Sequence, residues 1–212
     1  MKTVIIPKVS IVMLTYNAKT SLDNILDKAI LSALNQTYPN IEVVIVDNNS
    51  TDGTADYVKK MFNDKVKIIK FSKNYGWCLG NNLAIKYIDK NSKYVLFMNS
   101  DVILAKNYVE ELVKVAESDV RIAALQGLEK HPNYEEVAKV GGCLGRGAYI
   151  VDINVLVKQN RRQRCFEIPY VSGAAMLIRK DAFEKIGGFS ADFFMYYDEP
   201  DLFLRLRSLG YK

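Results

Sequence analysis

Short apolar runs alternate with amphipathic stretches along the first 126 residues, and the runs close on polar clusters. Val9 to Leu14 leads into Thr15-Tyr16-Asn17, and Ile41 to Val46 leads into Asp47. Val66 to Phe71 precedes a loop with Asn74 and Gly76, and Tyr94 to Met98 ends at Asn99-Ser100-Asp101. Runs of this length, rich in Val and Ile, are expected to be strands buried on both faces. Between them lie helical periods. Leu22, Ile25, Leu26, Ala29, Ile30 and Leu34 share one face, and Thr20 with Asp23 reads as a capping box. Further helices are expected with Ala55, Val58 and Met61 or Phe62 inward, from about 79 to 88, and from about 107 to 117, then a strand at 122–125. Strands alternating with helices build right-handed βαβ units. The expected class is α/β, with a mostly parallel central sheet flanked by helices.

Beyond Gln126 the rhythm breaks. Gly141, Gly142, Gly145 and Gly147 punctuate a stretch without helical period, which reads as hairpin and loop. A strand is expected within 170–179 and a short helix at 181–186, closed by Gly187-Gly188. A last helix is expected from about 199 to 209, with Leu202, Leu206 and Leu209 inward. With no linker and no repeat, residues 1–212 read as a single domain. Its first half, to about 126, reads as a nucleotide-binding type of sheet, and the half from about 127 reads as grafted onto it.

Composition bounds the function classes. Apolar residues make up 49% and charged residues 25%, which excludes global disorder. No apolar run approaches the roughly 20 residues of a spanning helix. Pro7 and Lys8 interrupt the N-terminal apolar stretch, so no export signal is read and a cytoplasmic location is expected. The formal net charge of +5 is too small to point to nucleic acid, which calls for a basic stripe with interleaved aromatics. The one dense basic cluster is Lys158, Arg161, Arg162 and Arg164. It reads as a solvated loop, and its sharper reading is contact with an anionic lipid headgroup or a phosphorylated acceptor. Cys78, Cys143 and Cys165 lack metal-ligand spacing and read as reduced thiols. His131 is the only histidine, so Cys–His chemistry has no pattern to rest on.

The polar clusters fall at strand C-termini, the edge where open parallel sheets bind ligands. Asn, Asp, Ser and Gly also form turns, and Asp52 or Thr54 has a plain role as a helix cap. Four clusters along one edge tip the balance towards a polar ligand, a nucleotide. The familiar phosphate loops are missing: there is no GxxxxGK[ST], and no GxGxxG between the first strand and first helix. A diphosphate needs another anchor. Asp101, a carboxylate at a strand end, can hold Mg²⁺ or Mn²⁺ that bridges to phosphate oxygens. Further on, Asp198, Glu199 and Asp201 crowd a helix start, where the helix dipole alone favours acids. Their functional reading is a general base, with a pKa raised by like charge. Arg205 is spaced to pair with Asp201. Phe193, Phe194, Tyr196 and Tyr197 are expected in the core rather than as a substrate platform.

Six segments, in order, resemble the family 2 glycosyltransferases and within them the rhamnosyltransferase-like members. They are VSIVMLTYN (9–17), VDNNSTDGT (46–54), NYGWCLGNN (74–82), FMNSDV (97–102), SGAAMLIR (172–179) and GGFSADFFMYYDEPDLFLR (187–205). The resemblance covers nearly the whole chain. It implies a GT-A-type fold, a nucleotide-diphospho-sugar donor and an inverting transfer to a hydroxyl of a glycan or lipid-linked acceptor, as in polysaccharide biosynthesis. Thr15, Tyr16, Asn17, Asp47 and Asn49 would then line the nucleotide, Asp47 near the base. Asn74, Gly76 and Asn81 would complete that pocket. Asn99-Ser100-Asp101 matches the family's DXD element, whose last Asp approaches the divalent cation, Mg or Mn, and the diphosphate. Gly173 and Ala174 would lie where sugar and acceptor meet, in the acceptor-side half. In the acidic motif, usually Glu-Asp-x-Asp, this chain has Asp198-Glu199-Pro200-Asp201. Glu199 aligns with the catalytic base, and adjacent Asp198 stays an alternative.

Asn99 replaces the first Asp of the strict DXD element, and Glu and Asp are exchanged at 198 and 199. Family members usually continue past the acidic helix, so a minimal or truncated version is expected. Peripheral association with the inner face of the cell membrane fits the family habit. Two other readings stay open. One is a module that binds nucleotide sugar or glycan without turnover. The other is a nucleotidyltransferase, which calls for a Gly-rich basic loop where 15–20 holds no glycine and only Lys19. The leading reading requires Asp47, Asp101 and Glu199 to converge on one crevice along the rim of the sheet.

Overall fold

The computed structural model describes residues 6–131, 134–144, 150–156 and 165–212. Lys158, Arg161, Arg162, Arg164, Gly145 and Gly147 lie outside the described residues, as do the side chains of His131 and Cys143. The first half runs β1 (Lys8–Thr15), α1 (Ala18–Leu22), α2 (Asn24–Leu34), β2 (Ile41–Asp47), α3 (Thr54–Phe62), β3 (Lys67–Lys70), α4 (Gly76–Ala84), β4 (Ser92–Asn99), α5 (Tyr108–Ala116) and β5 (Ala124–Leu125). The second half adds β6 (Glu129–His131), β7 (Tyr134–Leu144), β8 (Ile150–Leu156), β9 (Ala175–Arg179), α6 (Lys180–Lys185) and α7 (Asp198–Ser208).

The main sheet has the order β3-β2-β1-β4-β9-β5. The first four strands are parallel, as the alternating pattern predicts. β9 lies antiparallel between β4 and β5. The second half is therefore threaded into the sheet rather than grafted beside it. β6, β7 and β8 form a separate antiparallel sheet, the hairpin region expected from the glycines.

Strand alternation divides the apolar residues between two cores. Val9, Ile11 and Met13 of β1 pack on one face with Leu26, Ile30, Val58 and Val113, from α2, α3 and α5. Val12 turns to the other face, with Cys78, Phe183, Leu202 and Phe203 from α4, α6 and α7. Each such fully buried large side chain contributes about 1.5–3 kcal/mol.

Local departures have local causes. The capping box does not form. Thr20 donates its amide N–H and its hydroxyl to Asp52, at 2.9 and 3.1 Å, so it belongs to the neighbouring loop. The chain breaks at Asp23, whose φ is 46°, and one expected helix becomes α1 and α2. Ile25 and Leu209 are exposed rather than inward, and Phe62 rather than Met61 fills the core. α4 begins at Gly76, three residues earlier than its apolar period suggests.

Candidate active site

The strand register levels the sheet's rim. Thr15 stands beside Asp47, and Leu14 beside Asn99. Across β9, Met98 faces Ala175, and the Asn99 N–H donates to the Ala174 carbonyl at 2.9 Å. The DXD-like element and the Gly173-Ala174 segment are thus held side by side by backbone bonds. Above them opens a crevice of about 490 Å³. Asn99, Ser100, Asp101, Gly173, Ala174, Asp198 and Glu199 all line it, residues up to 100 positions apart in the chain.

Glu199 is oriented from below. Its Oε1 accepts the Gly173 N–H at 3.0 Å. A Cβ on residue 173 would stand 2.9 Å from the Trp77 ring and 3.1 Å from that Oε1, so a side chain here would push on both. Asp198 is buried and its Oδ2 has no hydrogen-bond partner among the described residues. Burial pushes the Asp198 carboxyl up to about 7, and the Glu199 charge beside it adds to the rise. Asp201, four residues before Arg205, accepts from that guanidinium at 2.6 Å and is thereby committed to a structural pair. Of the three acids, Asp198 and Glu199 face the crevice.

The other predicted residues sit on the adjoining rim and do not line this crevice. Asn17 has left-handed backbone, φ 49°, and its Oδ1 accepts the Thr51 N–H at 2.8 Å. Its own N–H donates to Ser50 Oγ at 2.9 Å. Thr15 is buried and donates its hydroxyl to the Val46 carbonyl. Tyr16 is exposed, and Asn49 has φ 65°. Asp47 is buried at the end of β2, two strand spacings or roughly 10 Å from β4. Its Oδ2 accepts the Ser50 N–H at 3.1 Å, while Oδ1 is buried with no partner among the described residues. Asn74 Oδ1 accepts from Asn48 Nδ2 and the Gly76 N–H, both at 2.8 Å. Asn81 is buried and donates to the Trp77 carbonyl within its own helix. Gly76 has φ 73°, and a Cβ there would meet Phe194 at 2.7 Å.

Among the described residues, no three His, Cys, Asp or Glu side chains are grouped to hold a metal ion unaided. A magnesium-type cation does not need such a group, because one or two carboxylates suffice when phosphates and water complete the shell. Asp101 is an exposed carboxylate on the crevice wall, and that donor fits.

Sequence reasoning assigned no role to several wall residues, Trp77, Ser172, Met195 and Glu129, and put a further one, Tyr196, in the core. Trp77 carried a signal, as the one tryptophan of the chain. The aromatic segment before Asp198 corrects the expectation of a core role. Phe194, Tyr196 and Tyr197 are 60%, 69% and 46% exposed, and only Phe193 packs against the core. Tyr196 and Tyr197 both have positive φ, 71° and 62°, a strained pairing for non-glycine residues. Tyr197 is the N-cap residue from which α7 starts.

A second cavity of about 530 Å³ lies between Ile168, Tyr170, Leu204 and Arg207. Its lining acid, Glu167, is already paired with Arg207 at 2.8 Å. The chemistry-bearing groups are gathered in the first crevice.

The chain is 26% identical, over 206 residues, to a low-salt glycan biosynthesis hexosyltransferase of Haloferax volcanii, covering 93% of this chain and 61% of that one. It is 24% identical, over 222 residues, to an N-acetylglucosaminyl-diphospho-decaprenol L-rhamnosyltransferase of Mycobacterium tuberculosis, covering 95% and 71%. The structure matches a mannosyltransferase from Pyrobaculum calidifontis in complex with GDP-Man and Mn²⁺ with a TM-score of 0.72 and 19% identity, over 99% of this chain and 54% of that one. This chain thus spans about half the length of the solved structure, and the shared fold is GT-A. The family described as "Glycosyl transferase family 2" matches residues 10–187, and the chain belongs to that family.

Proposed function

We propose that this domain transfers a sugar from a nucleotide-diphospho-sugar to a hydroxyl of a glycan or lipid-linked acceptor, with inversion at the anomeric carbon. One observation carries the reading: Asp101 and Glu199 line the same crevice, together with Asn99 and Gly173. The base of the nucleotide lies over Thr15 to Asn17, with the buried, unpartnered Oδ1 of Asp47 as its nearest available acceptor. Asn49, Asn74, Gly76 and Asn81 shape that rim, and Ser100 and Ala174 flank the sugar. Glu199 takes the proton of the acceptor hydroxyl while that oxygen attacks the anomeric carbon. The nucleoside diphosphate departs on the opposite side with the bonding electron pair. The transition state has oxocarbenium character, as in glycoside hydrolysis. The Gly173 N–H fixes the Glu199 carboxylate for this step. Asp101 would hold a Mg²⁺ or Mn²⁺ ion, which when bound would supply charge neutralisation for the leaving diphosphate.

Residues 1–126 serve as the donor-side half and 127–212 as the acceptor-side half, within one domain. Among the described residues no helix is long and apolar enough to cross a membrane. A lipid-linked acceptor would then be met at the membrane surface. A thermal-shift screen of nucleoside diphosphates and their sugars, with and without Mn²⁺, tests the donor assignment, because a specific ligand raises stability by mass action. One base is expected to stabilise the protein, and its sugar conjugate to be hydrolysed slowly. If no nucleotide stabilises the protein, the proposal fails; tight binding with no turnover would leave a binding module.

A further inference from the structure

The Trp77 indole N–H donates to Asn99 Oδ1 at 3.2 Å. An indole nitrogen is a donor only, so it pairs with the carbonyl end of a carboxamide and never with its NH₂ end. The flip state of Asn99 is therefore set by chemistry. With Oδ1 engaged, Nδ2 carries two N–H donors, and it has no protein partner among the described residues. Asn99 is half-buried and lines the crevice beside Asp101. Its backbone N–H is held by the Ala174 carbonyl, which fixes the main chain from which the carboxamide projects. Trp77 is fixed as well. Its ring packs on Phe189 at 4.7 Å and Phe97 at 6.5 Å, its backbone N–H donates to the Phe194 carbonyl, and Gly173 passes beneath it.

We infer that Trp77 is a positioning residue of the donor site. It holds the Asn99 carboxamide with its NH₂ turned to the crevice, where that group donates to a phosphate oxygen of a nucleoside diphosphate. This rests on the transferase reading and deepens it. Where a carboxylate at this position would repel the diphosphate or need a cation between them, Asn99 attracts it directly through a charge-assisted hydrogen bond. The domain accordingly keeps part of its affinity for a nucleoside diphosphate when divalent cations are removed.

The test uses uridine, guanosine and thymidine diphosphates, titrated in EDTA and in Mn²⁺. Binding is read from the fluorescence of Trp77, which is the chain's only tryptophan, and from calorimetry for variants that lack it. Wild type is expected to bind one diphosphate in both media. Asn99→Asp, isosteric and still able to accept from the indole, is expected to bind about 10–100-fold more weakly in EDTA, the worth of one hydrogen bond to a charged group. In Mn²⁺ it should recover most of that loss. Trp77→Phe keeps an aromatic ring but lacks the N–H. It should weaken binding about 3–10-fold in both media, because Asn99 is free to flip. A merely structural role for Asn99 predicts no change in the ratio of the two affinities. An Asn99→Asp protein that binds in EDTA as tightly as wild type would overturn the inference, since a hydroxyl partner accepts from an amide as readily as it donates to a carboxylate. Wild type that binds none of the diphosphates would instead overturn the transferase reading, and this inference with it.

Discussion

Two stretches of one rim treat their polar groups in opposite ways. At the ends of β1 and β2 the bonds close within the protein. Asp52 holds the amides of Thr20 and Thr54, and Asn17 holds Thr51. Asn48 spans Asn74, Gly76 and Tyr75. In the crevice several groups keep unpaired positions. Asp101 has no hydrogen bond or ion pair among the described residues, Asp198 keeps a buried unpartnered oxygen, and Asn99 offers a free amide. Closed networks stiffen a loop; an open polar group in a folded protein calls for a ligand or water. Asp47 belongs to both classes, with one oxygen closed on Ser50 and the other buried without a partner among the described residues.

The contrast is broken most sharply at Glu199. Glu199→Gln should lower turnover about 10²–10⁴-fold, the usual weight of a general base, and leave nucleoside diphosphate affinity unchanged. Steady-state donor turnover beside calorimetric binding checks it; an equal loss in both would make Glu199 a scaffold residue.

Gly173→Ala should come next. The new Cβ presses on Trp77 and on the carboxylate it orients. A displacement of about 1 Å costs on the order of 10²-fold in rate, so turnover should fall steeply while the melting temperature moves little.

Asp198 supplies a pH test. Its folded pKa is raised, to about 7, above the ordinary carboxylate value. The folded state then binds more protons than the unfolded state across the interval from the ordinary value to about 7. The stability this confers is full below the ordinary pKa and is lost as pH rises through about 7. Asp198→Asn removes that slope, so its stability relative to wild type should climb between the two pKa values and level off above. Urea unfolding at a series of pH values reads this directly.

The smallest effect belongs to the closed stretch. Asp52→Ala should cost about 1–2 kcal/mol in urea unfolding, as for a lost cap, with donor affinity and turnover intact. A loss of affinity would erase the distinction between the two stretches.

Strands, helices and the parallel sheet were legible in the sequence because burial on two faces leaves unbroken Val and Ile runs such as 41–46. The strand-end acids were legible for the same reason, since they mark where burial stops. The insertion of β9 between β4 and β5 was not, because its pairing joins residues some 80 positions apart. Thr20 and Asp23 misled because a partner 32 residues away, Asp52, outcompetes a local cap. The exposed aromatics misled because composition does not reveal that Tyr196 and Tyr197 adopt positive φ. Trp77 was visible as a letter, but its bond to Asn99 spans two elements and needed coordinates.

The most direct measurement is anomalous diffraction at the manganese edge from crystals grown with Mn²⁺ and the preferred nucleoside diphosphate. The manganese peak should stand on the Asp101 carboxylate, with the diphosphate in the same crevice and Glu199 facing it across the space left for the sugar. A nucleotide seated in the cavity beside Ile168 and Arg207, or manganese bound between Asp198 and Glu199 with Asp101 bare, would contradict it.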